Sequence, residues 1–252
     1  LAGLAALEQS RLARVARVSF GDHRDTEPAA YRALVESPLW AERWLDLWLE
    51  RGADISAVID ALVAARTAAP IEELRISGAR LAGLDRLLAC PAMSSLRHLA
   101  LVEPEGDISA ACAHPVTTLF LMRCAPVAID TLSPAIEHLI LEECQLGNAG
   151  IRALARSALR PVELDLRDDN IDIATHVELL GSPLFANTER LRIFLRRQSA
   201  PFETEAVKRV LLESPHLSAI QRISLQGLEA FSKEDKLALK NRFGAALFHP
   251  YV

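Results

Sequence analysis

The sequence predicts an α/β solenoid, a parallel β-sheet whose strands are joined by convex helices or short turns. Three observations predict it. The segments V-T-T-L-F-L-M-R-C, I-E-H-L-I-L-E-E-C-Q-L and P-V-E-L-D-L-R-D-D-N-I each carry a Leu-x-Leu pair, namely Leu119/Leu121, Leu139/Leu141 and Leu164/Leu166. Each pair is followed three or four residues later by a turn residue, Cys124, Cys144 or Asn170. Aligned on the second apolar residue, Phe20, Leu49, Ile76, Leu101, Leu121, Leu141, Leu166, Leu195 and Leu225 are separated by 29, 27, 25, 20, 20, 25, 29 and 30 residues. A self-similar period of about 20–29 residues marks one strand and one return segment per unit.

The elements follow in order. Residues 1–16 read as a helix, with Leu4, Leu7, Leu12 and Val15 at helical spacing. A first strand near Val15–Phe20 is broken by G-D-H-R-D-T-E-P, and Pro28 suits the first turn of the next helix. Trp44–Leu49 is a strand, followed by a helix over Ile55–Ala65. Ile71–Ile76 is a strand and Leu81–Ala89 a helix closed by Cys90-Pro91. Leu96–Val102 and Val116–Met122 are strands, and the 20-residue steps around them leave room only for a turn or a short 3₁₀ segment. After the strand Ile136–Leu141, Asn148 is placed to cap a helix over Ala149–Arg156, with Ile151, Leu154 and Ala155 inward. Strand Val162–Leu166 and helix Ile173–Leu180 follow, the helix ending at Gly181-Ser182-Pro183. Leu191–Leu195 is a strand, Glu205–Glu213 a helix with Thr204 as its cap, and Ile223–Leu225 the last strand. Ser232 with Asp235 forms a capping-box start to a final helix that Gly244 can end. The tail A-A-L-F-H-P-Y-V is expected to cover the last repeat, because an open solenoid end exposes its core.

The Leu-x-Leu…Cys/Asn units and the closing L-A-L-K-N-R-F-G resemble bacterial leucine-rich-repeat proteins of the ribonuclease-inhibitor-like kind. The resemblance covers almost the whole chain and is strongest over residues 96–170. It implies a leucine-rich-repeat solenoid, a horseshoe with a parallel concave β-sheet and a binding role. On this reading residues 1–252 form a single domain: 1–43 an N-terminal helical cap and first repeat, 44–226 the central repeats, 227–252 a C-terminal cap.

Composition narrows the functional classes. Half of the residues are hydrophobic and the formal net charge is −5, with charge dispersed rather than in blocks. That is a globular composition, and its acidic balance argues against nucleic acid, which asks for a basic face. The apolar runs fall short of the roughly 18 residues of a membrane helix. The opening L-A-G-L-A-A-L-E-Q-S has no basic region and meets charge at once, unlike a signal peptide. It also lacks an initiating Met, so the sequence reads as a fragment or a processed form. Cys90, Cys112, Cys124 and Cys144 show no C-x-x-C pair or zinc spacing, which points to reduced, structural thiols and a cytoplasmic protein.

Alternation along each strand sends the Leu pairs to the core and the residues beside them to the open face. The middle column so obtained is Ser19, Trp48, Arg75, Ala100, Phe120, Ile140, Asp165, Phe194 and Ser224. One step on lie Val102, Met122, Glu142, Arg167 and Arg196. Strands about 4.8 Å apart would set Ala100, Val102, Phe120, Met122 and Ile140 side by side as one apolar patch. Around it stand Glu142, Glu163 and Asp165, then Arg167, Arg192, Arg196 and Arg222, either as a polar rim for a partner or as cross-strand pairs. The run Arg190, Arg192, Arg196 and Arg197 lacks the interleaved aromatics of a single-strand binder apart from Phe194.

Catalytic and metal patterns are weak. His98 and His138 share a column, but two strand spacings, about 9.6 Å, separate them. Cys112 and His114 are close in sequence without a third orienting group. Asp168–Asp172 lacks the central Gly and distant Glu of a calcium loop. The expectation is therefore a non-enzymatic module without metal or cofactor that binds a protein on its concave face. Its anchors would be Val102, Phe120, Met122 and Ile140, with Trp48 and Phe194 as secondary contacts and Glu142, Asp165 and Arg196 as orienting charges. The alternative is a self-assembly protein that buries the same patch in a homodimer. An enzyme built on His98, His138 and Cys112 is a third and weaker reading.

Overall fold

Period-2 alternation decides the strands. In a computed structural model of the chain, Leu74 and Ile76, Leu99 and Leu101, Leu119 and Leu121, Leu139 and Leu141, Leu164 and Leu166, and Leu191 and Ile193 are all buried. Burying each such side chain contributes about 1.5–3 kcal/mol. The structure describes residues 18–20, 47–49, 56–64, 71–78, 80–124, 126–167, 171–194, 201–226, 231–244 and 247–248. The expected helices over 1–16 and after Pro28 lie outside these residues.

The fold is α/β, with parallel strands and helices or 3₁₀ turns between them, in two units, Leu1–Val116 and Thr117–Val252. In the first, β1 (Val18–Phe20), β2 (Leu47–Leu49), β3 (Glu73–Ser77) and β4 (His98–Val102) pair in sequence order, all parallel. Its return segments are α1 (Ser56–Ala64), α2 (Leu84–Leu88) with a 3₁₀ turn at Pro91–Met93, and the five-residue α3 (Ser109–Ala113). In the second, β5 (Thr118–Met122), β6 (His138–Glu142), β7 (Glu163–Arg167), β8 (Arg190–Phe194), β9 (Arg222–Gln226) and β10 (Leu247–Phe248) again pair in order and parallel. Their returns are a 3₁₀ turn at Ile129–Thr131, α4 (Gly147–Arg156), α5 (Ile173–Leu180), α6 (Pro201–Glu213) and α7 (Lys233–Phe243).

Both ends of the strands are tied by a repeated backbone device. At the start, one carbonyl accepts two successive N–H groups of the next strand. Thr117 C=O takes Glu137 and His138 at 2.9 and 3.0 Å, Glu137 C=O takes Val162 and Glu163, and Glu189 C=O takes Gln221 and Arg222. At the far end the residue after the strand adopts a left-handed conformation: Gly78, Glu103, Arg123 and Glu143, with φ of 61, 48, 52 and 52°. This turns the chain out of the sheet in one residue, at about 1–2 kcal/mol for a residue with a Cβ. Backbone bonds offset the cost, Arg123 N–H donating to Glu142 C=O at 2.8 Å and Glu143 N–H to Arg167 C=O at 2.6 Å. The next position in two of these turns holds a cysteine, Cys124 or Cys144, buried and outside any disulfide. Cys124 Sγ donates to Met122 C=O, and Cys144 Sγ to Leu121 C=O at 3.2 Å and Glu142 C=O at 3.4 Å.

Four local expectations are corrected. The last strand is β10 (Leu247–Phe248), not Ile223–Leu225, which lies in β9 beside it. The residue of β8 in register with Leu166 and Leu225 is Ile193, not Leu195. In L-R-I-F-L the alternation allows either pair, since a slip of two residues keeps every side chain on its own face. Asn148 is not a cap. Helix α4 begins one residue before it, at Gly147, and Asn148 instead reaches α5, donating to Asp172 Oδ2 at 2.6 Å and accepting Asp172 N–H at 2.9 Å. Thr204 lies inside α6, which begins at Pro201, where proline's fixed φ suits a first turn. Helix α5 has the bounds the sequence predicts, with Asp172 as its cap, and Ser232 and Asp235 form the expected capping box on α7.

Candidate functional site

The outward face of the second unit is set by strand register. Thr118 lies beside His138 and then Glu163, Phe120 beside Ile140 and then Asp165, and Met122 beside Glu142 and then Arg167. On β8 and β9 the rows continue as Arg190 beside Arg222, Arg192 beside Ser224, and Phe194 beside Gln226. The corrected register moves Phe194 out of the middle row and puts Arg192 there, opposite Asp165. Phe120, Met122 and Ile140 are half-buried, as residues on an uncovered pleated face are. They form an apolar corner at β5 and β6 that gives way to charge from β7 onward.

The charges are bound to one another. Arg167 lies two residues from Asp165 on the same strand and grips it with a fork, Nη2 donating to Oδ2 at 2.8 Å and Nε to Oδ1 at 3.1 Å. Its third nitrogen, Nη1, donates to Glu142 Oε1 at 3.0 Å. Arg192 reaches Asp165 Oδ2 from β8 at 3.2 Å. The hydrogen bonds it donates to Asp165, with the charges of Asp165 and Glu142, raise the Arg167 pKa above its ordinary value. In the row below, Glu163 Oε2 lies 3.2 Å from His138 Nδ1 and 3.2 Å from Arg190 Nη2. The carboxylates on this face thus serve neighbouring strands first. Glu142 and Asp165 keep only 19% and 8% of their side-chain surface exposed, whereas Arg192 keeps 46%.

The other expected residues fall elsewhere. Val102 stands on β4 in the first unit, half-buried, in the row after Ala100. Trp48 lies in β2, in register with Ser19 and Arg75, and Phe194 in β8; their side chains lie outside the described set, as does Arg196. His98 is exposed on β4, while His138 is held by Glu163. Cys112 is fully buried in α3, and burial lowers the pKa of the nearby His114. Of the calcium-like run, Asp168–Asn170 lie outside the described residues and Asp172 is occupied as a helix cap. Among the described residues no group of three or more His, Cys, Asp or Glu side chains is placed to hold a metal ion. None of the described helices is long and apolar enough to cross a membrane.

Sequence reasoning alone missed the pairing of Arg190 with Arg222 across β8 and β9. The only signal for it was the register of L-R-I-F-L, which alternation leaves open. The sequence matches no protein-family model and no curated protein.

Proposed function

We propose that the chain is a leucine-rich-repeat solenoid of horseshoe form. On this reading it is a non-enzymatic module whose outward, concave sheet face binds a protein partner. The observation that carries the reading is the register of Phe120 with Ile140 on adjacent strands, with Met122 beside them, half-buried and bordered by fixed charge. Apolar side chains on a sheet face that nothing in the described structure covers contribute little to folding and much to association, since a partner removes them from water. The paired charges around them supply a polar rim whose geometry is fixed before binding. Four buried cysteines outside any disulfide fit a reducing, cytoplasmic compartment.

The test uses Phe120→Asp and Ile140→Asp. Both are expected to keep the helical circular dichroism and the urea midpoint within a small shift. Both should lose binding to a partner captured from the source cell by about thirtyfold or more, the size of a hot-spot deletion. Unfolding of both variants would place these side chains in the core and end the proposal. Light scattering across a wide concentration range separates the second reading. A dimer that Phe120→Asp converts to monomer would assign the same face to self-association.

A further inference from the structure

The outward face of β7, β8 and β9 follows an acid-to-base rule that stops one strand short. Glu163 on β7 faces Arg190 on β8 and pairs with it, and Asp165 faces Arg192 and pairs with it. On the next strand the partners of these arginines are Arg222 and Ser224. Leu191, Ile193 and Ile223 point into the core, so alternation puts all four residues on the outward face. Two arginines thus stand directly opposite each other, where like charges repel. Among the described residues no carboxylate pairs with Arg222. Ser224, opposite Arg192, is only 6% exposed and adds no charge. Arg190 has Glu163 to offset this repulsion and Arg222 does not, so an anion that accepts from Arg222 would be favourable here.

We propose that the exposed guanidiniums of Arg222, Arg190 and Arg192 receive the side-chain carboxylate of an Asp or Glu on the protein partner. The inference rests on the docking role given above and names the partner's chemistry. A carboxylate is favoured because the same face already holds one in this manner one strand away, Asp165 between Arg167 and Arg192. A nucleic-acid backbone is disfavoured because the basic spot is small and the chain carries a net charge of −5. Spacing makes the proposal specific. Ile140 on β6 and Arg192 on β8 are two strand spacings apart, about 10 Å. An extended segment covers that distance in about three residues. The partner segment crosses the strands with an apolar residue on Phe120 and Ile140 and an acidic residue about three positions away.

A phage-displayed library of random peptides, panned on the full chain in parallel with Arg222→Glu and Phe120→Asp variants, tests it. The wild-type chain is expected to select peptides with Asp or Glu about three positions from a large apolar residue. For one such synthetic peptide, Arg222→Glu and Arg222→Gln should each weaken binding by about tenfold or more. Replacing the peptide's acidic residue by its amide should weaken wild-type binding similarly and variant binding little. Arg222 is exposed, and unchanged circular dichroism in both variants shows that the fold is kept. Peptides selected for apolar residues alone, bound equally by wild type and Arg222→Glu but not by Phe120→Asp, would overturn the carboxylate site and leave the docking face standing. Selection of nothing by the wild-type chain would overturn both. Binding of a single-stranded oligonucleotide that Arg222→Glu abolishes would overturn the carboxylate in favour of a phosphate backbone.

Discussion

Replacing Asp165 by Asn tests how the sheet face is held. Asp165 accepts three hydrogen bonds, two from the Arg167 fork at 2.8 and 3.1 Å and one from Arg192 at 3.2 Å, with 8% of its side chain exposed. Asparagine keeps the shape but turns one oxygen into a donor aimed at a guanidinium, and it leaves two cations without their shared anion. Breaking a fully buried ion pair costs about 3–5 kcal/mol. Arg167 and Arg192 keep 33% and 46% exposure and recover part of their hydration, so the expected loss is about 2 kcal/mol. The two arginines contribute unequally. Arg167 makes a fork and is fixed again by Glu142, whereas Arg192 makes one longer bond from a more exposed position. A double-mutant cycle in urea, with Asp165→Asn against Arg167→Met and Arg192→Met, should give a coupling of about 1 kcal/mol or more for the first pair and about 0.5 kcal/mol or less for the second. An Asp165→Asn variant as stable as the parent, or a larger coupling with Arg192, would refute the reasoning.

Two further outcomes follow from backbone and caps. Glu143 has φ 52°, so Glu143→Gly should raise the urea midpoint, a gain of up to about 1 kcal/mol, because its exposed pair with Arg123 is worth less than the relieved conformation. Gly78→Ala, at φ 61°, should lower the midpoint by a similar amount, and equal signs for the two variants would sink the account. Asp172→Ala should cost about 1–2 kcal/mol, since it removes the cap bond to Thr175 N–H at 2.7 Å and the oxygen that accepts from Asn148. The hydrogen bond from the Thr175 N–H holds the Asp172 pKa below its ordinary value. A depressed carboxylate contributes stability that is complete above the unfolded pKa, near 3.8, and is lost as pH falls through the folded one. The cost of Asp172→Ala should therefore shrink between pH 5 and strongly acid conditions, and a cost independent of pH would contradict the assignment.

Much of the fold was legible because each strand states its facing locally: Leu139-Ile140-Leu141 or Leu164-Asp165-Leu166 can bury only one set of side chains. What stayed illegible was whatever alternation leaves degenerate. Alternation alone assigns Leu191, Ile193 and Leu195 to one face, so the sequence cannot choose between the two registers. The choice is made by partners on other strands, by Glu163 and Asp165 drawing Arg190 and Arg192 opposite them. The left-handed turns at Glu103, Arg123 and Glu143 were equally silent, since no glycine announces them; long-range backbone bonds hold those at Arg123 and Glu143. Asn148 followed the helix-cap pattern, but its amide found a better partner one repeat away. The candidate site shares this limit. Facing was readable, so Phe120, Met122 and Ile140 could be placed on the outward face from the sequence. The fate of the charges was not, because Glu142 and Asp165 read alike whether they wait for a partner or are spent on Arg167. Once the structure assigns those carboxylates to neighbouring strands, the face has no acid left for Arg222 among the described residues. On the docking role proposed above, the orienting charge of this face is then basic, the reverse of what Glu142 and Asp165 suggest when read along the chain.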